Sequence, residues 1–135
     1  PSDPGLRFRA ALEALANLIA HGVREHIQAG QKVKRISVSG GIARSELMCE
    51  ILASTLGTTL ERLVSFEGPA LGAAVTSLAA LETHRRRKQG ISDRYTVADA
   101  VTQMVKFRQA VAPNPAWVQT YQSGRATFQK RLGER

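Results

Sequence analysis

Apolar residues recur at steps of three and four positions from Leu6 to Ala29, which is the spacing of a helix that buries one face. Gly30 follows this segment and is a typical residue just beyond the end of a helix. The pattern therefore predicts one long amphipathic helix. Its buried face would consist of the apolar residues Phe8, Leu12, Leu15, Ile19, Val23 and Ile27.

The next segments predict a strand, a helix and a second strand. KRISVSG places Ile36 and Val38 on one side of a short strand. Ala43 to Leu56 has helical spacing, with Gly57 as the C-terminal cap residue, and Thr59 to Leu63 begins with a β-branched residue and is short, as in a strand. A helix of this size allows the two strands to pair in parallel, so we expect a β-α-β unit. The inward residues of its helix would be Leu47, Ile51 and Leu52.

A helix rich in small residues follows the second strand. Pro69 suits the first helical position, where its missing N–H group would have no partner in any case. The pattern predicts a helix over Ala70 to Leu81, and the small residues around Gly72 allow close approach to its face. Residues 84–94, within THRRRKQGISDR, are basic and polar and are predicted to form a connection.

Two further helices are predicted towards the C-terminus. Tyr95 to Val105 has Thr96 as its N-cap and Asp99 in the first turn, as in a capping box. The proline-containing segment APNPAW interrupts the helical pattern, and Ala116 to Leu132 is predicted to form the last helix. Its side chains near one face are Val118, Tyr121, Arg125 and Phe128, and Trp117 and Tyr121, one turn apart, are interpreted as packing residues.

Composition limits the class of protein. The chain has 135 residues, of which 43% are hydrophobic, which is enough for one compact domain. Its 19 Lys and Arg against 11 Asp and Glu give a formal net charge of +8, which suits nucleic acid, an anionic membrane surface or a phosphorylated ligand. Cys49 is the one cysteine, so an intrachain disulfide is excluded and a cytoplasmic protein is expected.

The ends of the chain carry no targeting pattern. No apolar run approaches the roughly 18 residues of a membrane helix, and a signal peptide is not evident. The first residues, PSDPG, lack an initiator Met and contain two prolines, so residues 1–5 are expected to be a linker or a truncation point in a longer protein.

The glycines of SGGIARSELMCEILASTLG stand where a strand passes into a helix. Glycine can adopt positive φ and lets a ligand lie against the backbone, and the N–H groups that open a helix attract negative charge. This arrangement suits a nucleotide. It also suits a tight corner without a ligand, and the glycines alone leave both interpretations open.

The segments GGIARSELMCEILASTLG and EGPALGAA, in this order and spacing, resemble the C-terminal domain of the FGGY carbohydrate kinases. In that family a strand ends in Gly-Gly, an Arg-Ser or Asn pair follows, the helix has alanine where Ala53 stands, and a glycine closes it. A short strand, an acidic residue and an Ala-Leu-Gly-Ala-Ala helix come next. The tail, with TVADAVTQMV, a break at prolines and a helix containing Tyr121, is also similar, so the likeness covers nearly the whole chain.

The resemblance implies an α/β fold that is part of an actin-like (ribonuclease H-like) ATPase domain, in which short parallel strands pack with several helices. Residues 1–135 would be the C-terminal portion of the ATP-binding domain, and the N-terminal sugar-binding domain would be absent. Gly40 and Gly41 would lie against the adenosine and α-phosphate of ATP, and Ser45 would contact the ribose or adenine. Gly72 would serve helix packing beside that site.

The motif EGPALGAA is most similar to that of xylulose kinases, so the resemblance implies transfer of the ATP γ-phosphate to xylulose, giving xylulose 5-phosphate. The family's catalytic Asp and its phosphate-binding loop would both lie upstream, so no catalytic residue is assigned here. Mg²⁺ would be bound through the nucleotide phosphates in the complete enzyme. Because phosphoryl transfer requires both substrates and Mg²⁺ to be positioned together, the chain alone is expected to be inactive.

Unpaired sheet edges and apolar faces predict a homodimer.

The sequence gives weaker evidence for other functions and sites. A basic module that binds nucleic acid remains the alternative function, but the run Arg85 to Lys88 has no interleaved aromatic residues and is interpreted as solvated. His21 and His26 are not spaced for a metal site. Cys49 is expected to be buried or half-buried rather than a nucleophile. Glu67 either touches the nucleotide site or places favourable charge at a helix N-terminus, and we favour the second.

Overall fold

The structure, a computed structural model, describes residues 2–133. These residues form a mixed α/β fold that is mostly helical. In chain order, its elements are α1 (Pro4–Gln28), β1 (Ile36–Val38), α2 (Gly40–Arg44), α3 (Glu46–Leu56), β2 (Leu60–Arg62), α4 (Gly68–Lys88), α5 (Val97–Met104) and α6 (Pro115–Gly133).

The long first helix is confirmed, but its predicted buried face is only partly correct. Asp3 caps α1 by accepting a hydrogen bond from the N–H of Leu6. The fully buried residues of α1 are the small Ala16 and Ala20, whereas three predicted core residues are largely exposed: Phe8 (64%), Leu15 (42%) and Ile27 (51%). Leu15 lies next to the fully buried Ala16 and is therefore off the buried face of α1. Phe8 and Ile27 lie towards the two ends of α1, which has 25 residues, whereas α3, against which it packs, has 11. At about 1.5 Å per residue, α1 extends well beyond its partner.

The β-α-β unit is confirmed. β1 and β2 pair in parallel, with Ile36 opposite Leu60 and Val38 opposite Arg62. The sequence did not predict that residues 107–111 would lie along the other edge of β2, where Leu60 makes an antiparallel bridge to Val111 and Leu63 to Phe107. The residues of this central unit supply most of the main hydrophobic core.

The helix predicted over Ala43 to Leu56 is interrupted at Ser45. Ser45 has an extended backbone, with φ −95° and ψ 111°, and its hydroxyl oxygen accepts a hydrogen bond from the N–H of Met48 at 3.2 Å. It therefore ends α2 and caps α3. Leu47 was predicted to face inward but is 38% exposed, since the buried stripe of α3 runs through Met48 and the correctly predicted Ile51 and Leu52. Gly57 is the left-handed cap residue, as predicted, with φ 70°.

The predicted end of α4 is wrong. The helix continues beyond Leu81 to Lys88, so the basic connection begins at Gln89 rather than at residue 84. Cations are favourable in the last turn of a helix because of its dipole, and Glu82 pairs with Arg85 at 2.8 Å. α4 packs against α5 through a small second cluster formed by Val75, Ala79 and Ala100.

The two C-terminal helices follow the prediction closely. Thr96 and Asp99 form the predicted capping box of α5. α6 packs on α3, and the ring of Tyr121 is buried, with the Trp117 ring edge-on to it. The Tyr121 hydroxyl donates to a carboxylate oxygen of Glu13 at 2.9 Å, which joins α6 to α1. The packing role of Trp117 and Tyr121 is confirmed.

Candidate functional site

The two glycines of the strand-to-helix corner have different backbone conformations. Gly40 has φ 70°, in the left-handed region that favours glycine, and its N–H donates to the carbonyl of Phe66 at 3.1 Å. Gly41 is exposed, does not have positive φ, and a Cβ built on it would meet nothing within 4 Å. The fold therefore requires glycine at position 40, whereas position 41 presents bare backbone on an open face.

The N-terminus of α4 lies directly beside this corner. A Cβ on Gly68 would meet the hydroxyl oxygen of Ser39 at 3.0 Å, so glycine lets α4 begin against the end of β1. Glu67 occupies the N-cap position of α4 and makes no side-chain capping bond. Both α2 and α4 thus begin near the carboxyl ends of the parallel strands. In open α/β sheets, ligands bind outside these ends, and the free N–H groups of helix first turns favour anions.

Ser45 has a structural partner, and Gly72 lies on an exposed part of its helix. Ser45 follows α2 and uses its hydroxyl oxygen to cap α3, so it already has a structural partner. A contact between Ser45 and a nucleotide stays a prediction. Gly72 is exposed on α4, and a Cβ there would meet nothing within 4 Å. Within the described residues, the glycine that permits close packing at this corner is Gly68 rather than Gly72.

Two arginines beside the corner were not predicted as site residues. The guanidinium carbon of Arg44 lies 4.8 Å from the centre of the Phe66 ring, and that of Arg108 lies 4.6 Å from it. The face of an aromatic ring attracts a cation, so Phe66 holds both guanidinium groups near it. Both arginine residues are exposed to solvent. Because Phe66 also accepts the hydrogen bond from Gly40, these charges border the glycine corner. Arg44 is close in sequence to the glycines, whereas Arg108 reaches the corner through the chain fold.

The basic run at the end of α4 is partly neutralised within the chain. Arg85 pairs with Glu82, and Arg86 pairs with Asp93 at 2.9 Å and lies over the Tyr95 ring. The run was predicted to be a solvated connection, but it forms the last turns of α4, and Arg85, Arg87 and Lys88 are exposed there.

Cys49 has a buried, structural position. Cys49 is fully buried, its thiol donates to the carbonyl of Ile42 at 3.2 Å, and burial raises the pKa of the thiol. The expectation that Cys49 is a buried residue is confirmed. In residues 2–133, no group of three His, Cys, Asp or Glu side chains could hold a metal ion. None of the helices in the same range is long and apolar enough to cross a membrane.

Comparisons with known proteins agree with this geometry. The model of the C-terminal domain of the FGGY family of carbohydrate kinases matches residues 1–81. A ribulokinase from Mycolicibacterium smegmatis is 34% identical over 79 residues, which is 58% of this chain and 14% of the ribulokinase. The chain thus spans a small part of that curated relative.

A solved structure matches more of the chain. The xylulose kinase from Rhodospirillum rubrum superposes with a TM-score of 0.73 and 27% sequence identity, over 93% of this chain and 24% of the xylulose kinase. This match confirms the predicted actin-like ATPase fold. The family match, the glycine corner and the superposition lead to one conclusion: the chain belongs to the FGGY family of carbohydrate kinases, as part of its C-terminal domain.

Proposed function

We propose that this chain forms one wall of the ATP site of a sugar kinase that transfers the γ-phosphate of ATP to a hydroxyl group of xylulose. The observation that carries the proposal is the glycine corner. Gly40 turns the backbone through positive φ, and Gly41 then leaves an open face beside the start of α4. A nucleotide can lie against bare backbone only where no side chain intervenes.

The residues of the corner fit the parts of ATP. The backbone at Gly40 and Gly41 would contact the adenosine and α-phosphate, and Ser45 would contact the ribose or adenine. Arg44 and Arg108 add positive charge at the same corner, which favours a polyphosphate. Mg²⁺ would be held through the phosphates of the bound nucleotide, where it supplies charge neutralisation for phosphoryl transfer.

The sugar is assigned by similarity. A xylulose kinase is a structural neighbour over 93% of this chain, and a ribulokinase is a curated relative over 58% of it. The motif EGPALGAA favours xylulose between them. The catalytic Asp that would accept the proton of the sugar hydroxyl is expected in a part of the parent enzyme upstream of this chain.

The same proposal predicts that the 135-residue chain is catalytically inactive. Half of a nucleotide site cannot align the γ-phosphate with a sugar hydroxyl, so proximity and orientation are lost. ADP formation should be measured with xylulose, ribulose, glycerol and gluconate, using the full-length parent as the positive control. The chain should give the rate of the no-enzyme control, and the parent should turn over xylulose fastest. Sugar-dependent turnover by the repurified chain would contradict the expected inactivity, and a parent that prefers another sugar would contradict the substrate assignment.

The alternative function, binding of nucleic acid or another polyanion, makes a different prediction. Its affinity would fall steeply with salt and would not depend on adenine, whereas binding at the glycine corner would discriminate ATP from other nucleoside triphosphates. The internal pairing of Arg85 and Arg86 favours the kinase function.

A further inference from the structure

A cavity lies at the opposite end of β1 from the glycine corner. It has a volume of about 330 Å³ and lies between the C-terminal half of α1, the entry to β1, the end of α3, and α6. This volume is at the lower end of the range of about 300–1,000 Å³ found for small-molecule pockets. Because its charged lining consists of Arg24, Lys34, Arg35 and Arg125, we call it the arginine pocket.

Two arginines that line this pocket have buried nitrogen atoms without acceptors among the described residues. The Nε and Nη2 atoms of Arg24 and the Nε atom of Arg125 are buried and make no hydrogen bond to any part of the chain that the structure describes. Arg125 has one partner, because its Nη2 donates to the carbonyl of Thr55 at 3.1 Å. A buried polar group without a partner is destabilising, and more so when it is charged.

The charges around the pocket are not balanced locally. No Asp or Glu is among the residues that line it, and in residues 2–133 the ion pair recorded for its cations joins Arg35 to Glu61 at 3.4 Å. Burial and the nearby Arg125 guanidinium lower the pKa of Arg24, and the attraction of Glu25 offsets only part of this effect. Two guanidinium groups that repel each other, together with Lys34, therefore surround a space suited to a negative group.

We propose that the arginine pocket binds the phosphate group of a small phosphorylated molecule. A phosphate dianion can balance two neighbouring cations, whereas a carboxylate carries one charge, and the planar donors of arginine match phosphate geometry. Thr58 also lines the pocket and adds a hydroxyl group that can donate to phosphate. The site is separate from the proposed ATP corner, because the residues before β1 line it and the residues after β1 form the corner.

Inorganic phosphate is the probe for the test, added at constant ionic strength with chloride as the balancing anion. Phosphate should raise the melting temperature of the chain. Arg24→Met keeps much of the side-chain volume and removes the buried charge, so it should raise the melting temperature without phosphate and abolish the phosphate response. Lys34→Gln changes an exposed residue of the lining and should weaken phosphate binding about tenfold, as expected for the loss of one charged hydrogen bond.

Lys88→Gln is the matched control, since Lys88 is exposed at the end of α4 and does not line the pocket. It should respond to phosphate as the unmodified chain does. Backbone amide signals locate the binding, and those of Ile36 and Thr58 should shift at lower phosphate concentration than that of Gly41.

Three results would overturn the proposal: no response of the unmodified chain to phosphate, an equal response of Lys34→Gln and Lys88→Gln, or shifts confined to Gly41. If Arg24→Met fails to fold, the Lys34→Gln comparison and the amide shifts still decide the outcome.

Discussion

The fold requires glycine at position 40, whereas glycine at position 41 is required only if a ligand lies against it. Gly40 holds a positive φ and bonds to Phe66, so a side chain at position 40 strains the corner itself. Gly41 does not have positive φ, and a Cβ added there meets no other part of the described chain within 4 Å. A substitution at Gly41 can therefore test ligand binding without disturbing the corner.

We predict that Gly41→Val weakens ATP binding by about 2 kcal/mol or more, which is more than tenfold, in the full-length parent, because the branched side chain occupies the backbone face assigned to the nucleotide. Sugar affinity should hardly change. The melting temperature should fall only slightly, as valine replaces glycine without a steric contact. Calorimetric titration with ATP and with sugar measures both affinities.

The matched control for Gly41→Val is Gly124→Val, at an exposed position of α6 where a Cβ also meets nothing within 4 Å. It should leave ATP affinity unchanged. If the Gly41→Val enzyme binds ATP normally, the glycine pair is a corner of the fold and not a nucleotide site.

Ser45→Ala should affect stability as well as ligand binding. The hydroxyl caps α3, so its removal should lower the free energy of unfolding by about 1 kcal/mol. If Ser45 also contacts ATP, affinity should fall by about 1 kcal/mol from the loss of one hydrogen bond. Urea unfolding gives the first quantity and ATP titration gives the second. An unchanged unfolding midpoint would exclude the capping contribution, and an unchanged ATP affinity would remove Ser45 from the site.

The residues at which these helices begin and end depend more on capping hydrogen bonds and on charges at helix ends than on apolar periodicity. The break at Ser45 arises because its side chain captures the N–H of Met48, which starts a new helix within an apolar pattern that continues through it. The extension of α4 to Lys88 arises because its charged last turns are compatible with a helix end. Apolar spacing predicts neither effect.

The capping box of α5 predicts a pH dependence. Hydrogen bonds from the Thr96 hydroxyl and then the Thr96 backbone lower the pKa of Asp99 below its ordinary value of 3.8. A carboxylate with a lowered pKa stabilises the folded chain above that ordinary value, and this stabilisation is lost as pH falls through the folded-state pKa. The stability difference between the unmodified chain and Asp99→Asn should therefore be present at neutral pH and shrink in acid.

Thermal unfolding monitored by circular dichroism, at a series of pH values and constant salt, measures this difference. Glu67→Gln is a useful comparison because Glu67 is exposed at the N-cap position of α4 and makes no side-chain capping bond there. A difference for Asp99→Asn that stays constant from neutral pH into acid would show that the charge of Asp99 does not stabilise α5.

For the whole molecule, the exposed apolar surface is the dominant feature. In the part of the chain that the structure describes, β1 pairs only with β2 in the sheet, and several large apolar side chains of the helices are exposed. These include Phe8, Leu15, Leu18 and Leu81. Unpaired strand edges and exposed apolar patches favour association.

We therefore predict that the isolated chain is a homodimer, or retains a bound partner chain after purification. Analytical ultracentrifugation at micromolar concentration measures the assembly, and replacing Phe8 and Leu15 with Gln should shift it towards the monomer. A stable monomer that unfolds cooperatively would contradict this prediction.

The sequence by itself determined the local features of this protein. Sequence patterns predicted the five longer helices of the described residues but not the short α2, β-branched and glycine residues predicted the two strands and the corner after β1, and Thr96 with Asp99 predicted a capping box. The family was recognisable from the same motifs, and the family model confirms it. These features were predictable because each depends on residues a few positions apart.

Tertiary structure decided which of these residues are buried and which meet across the fold. The packing of α1 on the shorter α3 exposed Phe8 and Ile27 despite their helical spacing. Arg108 reaches Phe66, and Arg24 and Arg125 line one pocket, only because elements distant in sequence pack together. Such contacts leave no periodic pattern in the sequence, since they depend on how far each element extends and on where the chain returns.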